Sequence, residues 1–170
     1  MAFRILIFFA LLSVTSCVSD DAYDPYFNQG NISYDGLSTP VTYADFYRVS
    51  VTQGGEIWAL VLSQNYIGYG TTYTDAYLYL EMFKPDGQPL EGIYDVFHPV
   101  RTLEFAEYFE NLTLYNGIPD AYGFHLPYYK FVDGRAEIIN RGNNFYHFEV
   151  SLLTQEGRFL NAFFDGKVQF

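Results

Sequence analysis

Chemistry has few places to start in this 170-residue chain. There are three histidines, His98, His125 and His147. Only His147 has a ligand-type neighbour at strand spacing, Glu149, and two residues on one strand face hold a metal ion only if a neighbouring strand adds ligands. A solvated polar face is the expectation there, with no metal and no cofactor. Nucleophilic catalysis needs Ser, Cys or Thr beside a base, and no G-x-S-x-G stretch occurs. Ile67-Gly68-Tyr69-Gly70 is followed by neither a helix nor a lysine, as a phosphate cradle requires. Twenty acidic residues offer many carboxylate pairs for glycoside hydrolysis, and nothing in their spacing singles one out. No catalytic residue is therefore assigned.

The residues that stand out are aromatic. Tyr66, Tyr69, Tyr73 and Tyr77 crowd one stretch; Tyr115, Tyr122, Phe124, Tyr128 and Tyr129 crowd another. Exposed rings stack on sugar faces or anchor a partner protein. Tyr66, Tyr69, Tyr73, Tyr122, Phe124, Tyr128 and Tyr129 form the candidate ligand-binding set. The competing expectation is that these rings cap the two ends of a β core.

The elements that must position them are strands. Ile57 to Leu62 is continuously apolar, as in a strand covered on both faces, and Trp58 belongs in the core or at its edge. Ala76 to Phe83 alternates, with Leu78, Leu80 and Met82 inward and Tyr77, Tyr79 and Glu81 outward. Phe145 to Leu153 sets Tyr146, Phe148, Val150 and Leu152 against His147, Glu149 and Ser151. Val41 to Val51 alternates with a break at Asp45-Phe46, where a bulge is expected. Leu90 to Val96 reads as a short strand. Asp35-Gly36, Lys84-Pro85-Asp86-Gly87, Asp133-Gly134, Arg141-Gly142-Asn143-Asn144, Gln155-Glu156-Gly157 and Asp165-Gly166 read as turns.

Pro99 to Gly117 is ambiguous. Phe105, Tyr108, Phe109 and Leu112 make a helical stripe that Thr102 could cap, and a strand through Leu103–Tyr108 fits nearly as well. A short helix or irregular crossover is the expectation. All seven prolines are expected between strands. The fold class is all-β: an antiparallel β-sandwich or partly closed β-barrel of about eight to ten short strands, with at most one short helix.

Composition narrows the partners. The net charge is −11, and one unit more negative once Arg4 is removed with the signal described below. That argues against nucleic acid, which needs fields of Lys and Arg. Seventeen Tyr and seventeen Phe favour strands, and so many tyrosines suit a sheet with one dry face and one wet face.

The N-terminus carries an address. Residues 1–16 hold Arg4 and then the apolar run Ile5-Leu6-Ile7-Phe8-Phe9-Ala10-Leu11-Leu12, which is too short for a membrane helix and reads as a cleaved signal. Val14-Thr15-Ser16-Cys17 follows, and Cys17 is the one cysteine in the chain. This stretch resembles the lipobox of bacterial lipoproteins. The resemblance implies that the Cys17 thiol takes a diacylglycerol, that the signal is cut before it, and that the new amine is acylated. Each buried CH₂ adds ~0.8 kcal/mol, and two or more chains hold stably where one does not. Ser19-Asp20-Asp21 resembles the surface-export signal of Bacteroidota-type lipoproteins. Residues 17–30 are then a lipidated N-terminus and flexible tether, and residues 31–170 a single antiparallel β domain. The C-terminal half also looks like many small β-rich lipoproteins of that group.

The resulting expectation is a protein held in the outer membrane of a Gram-negative bacterium by a lipid on Cys17, exposed at the cell surface, with a β domain that binds a glycan, peptide or protein. Two alternatives stand beside it. One is a secreted hydrolase with an unassigned carboxylate site. The other is a small outer-membrane barrel, which the Tyr/Phe abundance and terminal Phe170 resemble and which the lipidated cysteine and the apolar Ile57–Leu62 run oppose.

Overall fold

A computed structural model of the chain describes residues 28–119 and 128–169. The regular structure in them is all strand: β1 (Gln29–Tyr34), β2 (Leu37–Val41), β3 (Tyr43–Thr52), β4 (Gly55–Ser63), β5 (Thr71–Pro85), β6 (Gly92–Asp95), β7 (Thr102–Tyr115), β8 (Ile118–Pro119), β9 (Tyr128–Gly142), β10 (Phe145–Thr154) and β11 (Phe159–Lys167). The expectations for the signal, for Cys17 and for Tyr122 and Phe124 lie outside the described residues.

One sheet holds all of these strands, in the order β2-β1-β11-β10-β9-β6-β7-β5-β4-β3, with β8 on β7 and a further pairing of β9 with β7. The long strands follow one another antiparallel, and β11 returns to pair with β1. The two ends of that order, β2 and β3, are separated in the chain by Thr42 alone. A second link closes the seam from the other side. The Phe46 amide donates to the Gln169 carbonyl at 3.0 Å, and the Gln169 amide donates to the Ala44 carbonyl at 3.2 Å. The single open sheet fits a partly closed barrel, and these bonds tie part of its two edges together, where unpaired strand groups would otherwise invite aggregation.

Alternation fills the interior. Leu78, Leu80 and Met82 of β5 and Tyr146, Phe148, Val150 and Leu152 of β10 point inward, as expected. Phe46 of β3 joins them with no exposed surface, and its ring lies 5.3 Å from Trp58, 5.4 Å from Phe148 and 5.7 Å from Tyr146. These contacts pin the seam strand to β10 on the far wall. Trp58 packs at the core edge, and β4 is buried from Ala59 through Ser63 on both of its faces.

Four expectations need correction. Pro99 to Gly117 contains no helix: β7 is a 14-residue strand. A register shift opposite Glu81/Met82 and a left-handed Asn111 (φ 56°) each break its period of two, and the two breaks together imitate a helical stripe. In β3 the alternation runs unbroken through Asp45 and Phe46, and the bulge falls at Arg48/Ser50. Asp133-Gly134 and Asp165-Gly166 are not turns but lie inside β9 and β11. A Cβ on Gly134 would stand 2.5 Å from Leu152 and 3.0 Å from the Ser151 carbonyl, so that glycine serves close approach of strands. Pro40 lies within β2, Pro119 within β8 and Pro85 at the last position of β5, two lateral strands and one strand end where a missing N–H is tolerated.

Phe46→Ala is expected to lower stability by about 3–5 kcal/mol, the usual cost of truncating a buried phenylalanine. A urea titration followed by tryptophan fluorescence checks this, because Trp58 reports on the same contact.

Candidate ligand-binding site

Three strands build a furrow on the outside of the barrel. Because Ala44 and Phe46 point inward, Tyr43, Asp45 and Tyr47 point outward. On β5 the outward residues are Tyr77, Tyr79 and Glu81. Between them β4 turns only small side chains outward: Ala59, Val61 and Ser63. The register aligns Tyr43 with Ser63 and Tyr77, Asp45 with Val61 and Tyr79, and Tyr47 with Ala59 and Glu81. Small residues flanked by tyrosines on both sides leave a trough.

Residues 64–70, joining β4 to β5, fold back across one end of it. Ile67 of this loop packs on a second apolar cluster of Val61, Tyr77, Leu112 and Leu114, separate from the barrel core. Polar bonds fix the loop. The Asn65 side-chain amide donates to the Tyr73 carbonyl at 2.8 Å, the Thr42 hydroxyl to the Gln64 carbonyl at 2.6 Å, and the Gly70 amide to Asn116 Oδ1 at 2.7 Å. The result is a recess of about 360 Å³ lined by Tyr43, Asp45, Tyr47, Tyr66, Tyr69 and Tyr77, with Asn116 and Gln169 at its margin. Tyr43 and Tyr77 are its floor, and the Tyr66 ring meets Tyr43 edge-on at 5.3 Å.

Its electrostatics are one-sided. Burial pushes the Asp45 carboxyl above the ordinary range, and hydrogen bonds from the Phe46 amide and the Tyr43 hydroxyl offset this in part. Burial, then the Asp45 charge, holds Tyr43 well above its usual value, and burial does the same to Tyr77. No Lys or Arg is among the described residues that line the recess. Glu56, at the opposite end of β4, shows the contrast. Hydrogen bonds from Trp58, Arg48 and Lys84 hold it down at about 2.

The aromatic candidates divide. Tyr66 and Tyr69 line the recess. Tyr73 stands outside it, with its hydroxyl on Asn111 Oδ1 at 2.7 Å. Tyr129 turns into the barrel, against Tyr34 at 4.5 Å and Tyr108 at 6.1 Å. Tyr128 is a β9 residue opposite Phe109. Sequence reasoning missed Tyr43, Asp45 and Tyr47 as site residues. The signal was there: placing Phe46 in the core forces all three onto the outer face.

Two other places carry potential ligands. His147 does gain a carboxylate from the neighbouring strand, Asp165. Its Nε2 faces Glu149 at 3.2 Å while its Nδ1 faces Asp165 at 3.6 Å, so the two carboxylates lie on opposite sides of the ring and cannot share one ion with it. No group of three metal-ligating side chains occurs among the described residues. The larger depression, about 530 Å³, lies on the outer face of β1, β2 and β9–β11 and sets Glu137 opposite Glu149. Its polar groups are already spent on one another: Asn31 on Ser38, Ser33 on Asn31, and Arg135 on Glu137. Both carboxylates are open to water and already partnered, Glu137 by Arg135 and Glu149 by His147.

Asp45→Asn is expected to raise the melting temperature at pH 7. A carboxyl whose value is raised on folding favours the folded state when protonated, and that contribution is lost as pH rises through the folded value. The gain over the parent protein should shrink to nothing below about pH 3, under the ordinary carboxylate value of about 3.9. Melts recorded from pH 3 to 7 check it.

Compared with protein-family models, with curated proteins and with solved structures, the chain matches none.

Proposed function

We propose that the chain is a lipid-anchored outer-membrane protein of a Gram-negative bacterium, displayed at the cell surface, whose β domain binds a glycan in the tyrosine-lined recess. One observation carries the binding reading: tyrosines from β3, β5 and the 64–70 loop converge with Asp45 on one preformed recess. Sugar rings offer flat C–H faces and a fringe of hydroxyls. Tyrosine answers both, with an apolar ring and a polar tip, and Asn116 and Gln169 add amide groups at the margin. The anchor rests on Val14-Thr15-Ser16-Cys17 and the acidic residues that follow it.

The polarity of the sheet supports a water-facing domain over a membrane barrel. A lipid-facing barrel turns apolar residues outward. Here the inward face is apolar, and Asn31, Ser33, Glu149, Ser151 and Asn161 lie on the outer face of β1, β10 and β11. The hydrolase reading has less support, because the carboxylate pair in the larger depression is solvated and partnered.

Two measurements test the proposal. Mature protein in detergent is applied to a glycan array, and hits are titrated against Tyr43→Ala and Tyr66→Ala. Each variant should lose at least about tenfold in affinity, which is 1.4 kcal/mol. An array silent for the parent protein overturns the glycan reading. Metabolic labelling with an alkynyl fatty acid should mark the parent protein and not Cys17→Ser, which should leave the membrane fraction.

A further inference from the structure

Resting on the recess as a glycan site, we infer that it recognises an organic ammonium group, and that the glycan presents an unacetylated amino sugar with its ammonium against Asp45. The argument starts from what lines the recess. Five tyrosines and one carboxylate face it, with no Lys or Arg among the described lining residues. Ring faces carry a negative quadrupole and attract cations within about 6 Å. Every electrostatic feature of the recess therefore points the same way. An anion is repelled, a neutral group buries Asp45 further at a desolvation cost, and a cation gains from the carboxylate and the rings together.

Four other acids have Lys or Arg partners of their own, while Glu81 accepts from the Tyr79 hydroxyl and Glu149 faces His147. Glu56 has Arg48 and Lys84, Glu137 has Arg135, Asp165 has Arg141, and Asp35 has Arg158, all within 3.2 Å. Asp45 is more withdrawn from water than a surface acid, and its donors are an amide and a phenol. Among the described residues no Lys or Arg pairs with Asp45, so a positive group from outside would meet no competitor there. The cup has depth as well. Tyr43 and Tyr77, 7% and 6% exposed, form a floor, while Tyr66 at 61% stands at the rim. At about 30 Å³ per water, 360 Å³ is about twelve waters, which is room for one sugar ring. The loop that carries Tyr66 is already bonded in place, so little ordering cost opposes binding.

An ammonium can come from an amino sugar, from a choline-type headgroup or from a lysine side chain, and the test separates these sources. Mature protein is titrated calorimetrically at pH 6 and 0.15 M salt, where long-range attraction is screened. The probes are a glucosamine trimer, its fully N-acetylated counterpart, choline, and N-acetyl-lysine methylamide. The glucosamine trimer should bind at least tenfold tighter than the acetylated one. Asp45→Asn should erase that preference. Asp86→Asn, the same change of charge in the turn after β5 at the far end of the barrel, should keep it. Equal affinity for the two trimers overturns the ammonium inference and leaves the glycan reading standing. A preference lost equally in Asp86→Asn overturns it as a general charge effect. Asp45-dependent binding of choline or the lysine derivative, with neither trimer bound, upholds the ammonium and overturns the glycan. No binding by any probe overturns both.

Discussion

The two ends of the sheet meet at β3, and the rest of the molecule follows from how they are joined. A sheet edge leaves a row of backbone donors and acceptors that must find partners. Here the chain bends at Thr42, so that one run of residues pairs with β1 on one side of the bend and with β4 on the other. The amide and carbonyl of Gln169 fill part of the remaining gap. Phe46 then locks the junction from inside, touching Trp58, Tyr146 and Phe148. With Phe46 inward, the period of two leaves no choice for its neighbours. Asp45 and the flanking tyrosines face out, and the recess is the outer surface of the junction itself.

The recess also depends on a change of side-chain size across three strands. β4 places Ala59, Val61 and Ser63 between rows of tyrosines, and the 64–70 loop covers the apolar remainder through Ile67. The outer face of a barrel ordinarily offers no depth. Here it has its own small core, which lets Tyr77 sit at the bottom of a cup on the outside of a sheet.

Much of the fold was legible because the long strands alternate cleanly. β5 and β10 could be assigned face by face, and β4 stood out as a run covered on both sides. Asp35-Gly36 and Asn143-Asn144 are hairpin turns with positive φ at both residues, which their sequences announce. What failed did so where local signals have two meanings. Asp-Gly marks a turn when the glycine needs a left-handed backbone, and marks a close approach when it does not: Gly134 lies against the neighbouring strand at Ser151 and Leu152, and Gly166 against the Asn28 side chain. Two interruptions in β7 hid a strand behind helical spacing. The site was half legible. Tyr66 and Tyr69 could be named from density of rings, but Asp45 gains its meaning from neighbours some twenty to more than one hundred and twenty positions away, at Tyr66 and Gln169, and only a register brings those together.

Gln169 belongs to two structures at once. Its backbone zips onto β3, and the same residue borders the recess. Whatever settles there leans on both lips of the zip. Since an occupant that favours the zipped form adds RT ln(1 + [L]/Kd) to its persistence, cargo and hull guard each other: a laden molecule resists prying open more than an empty one.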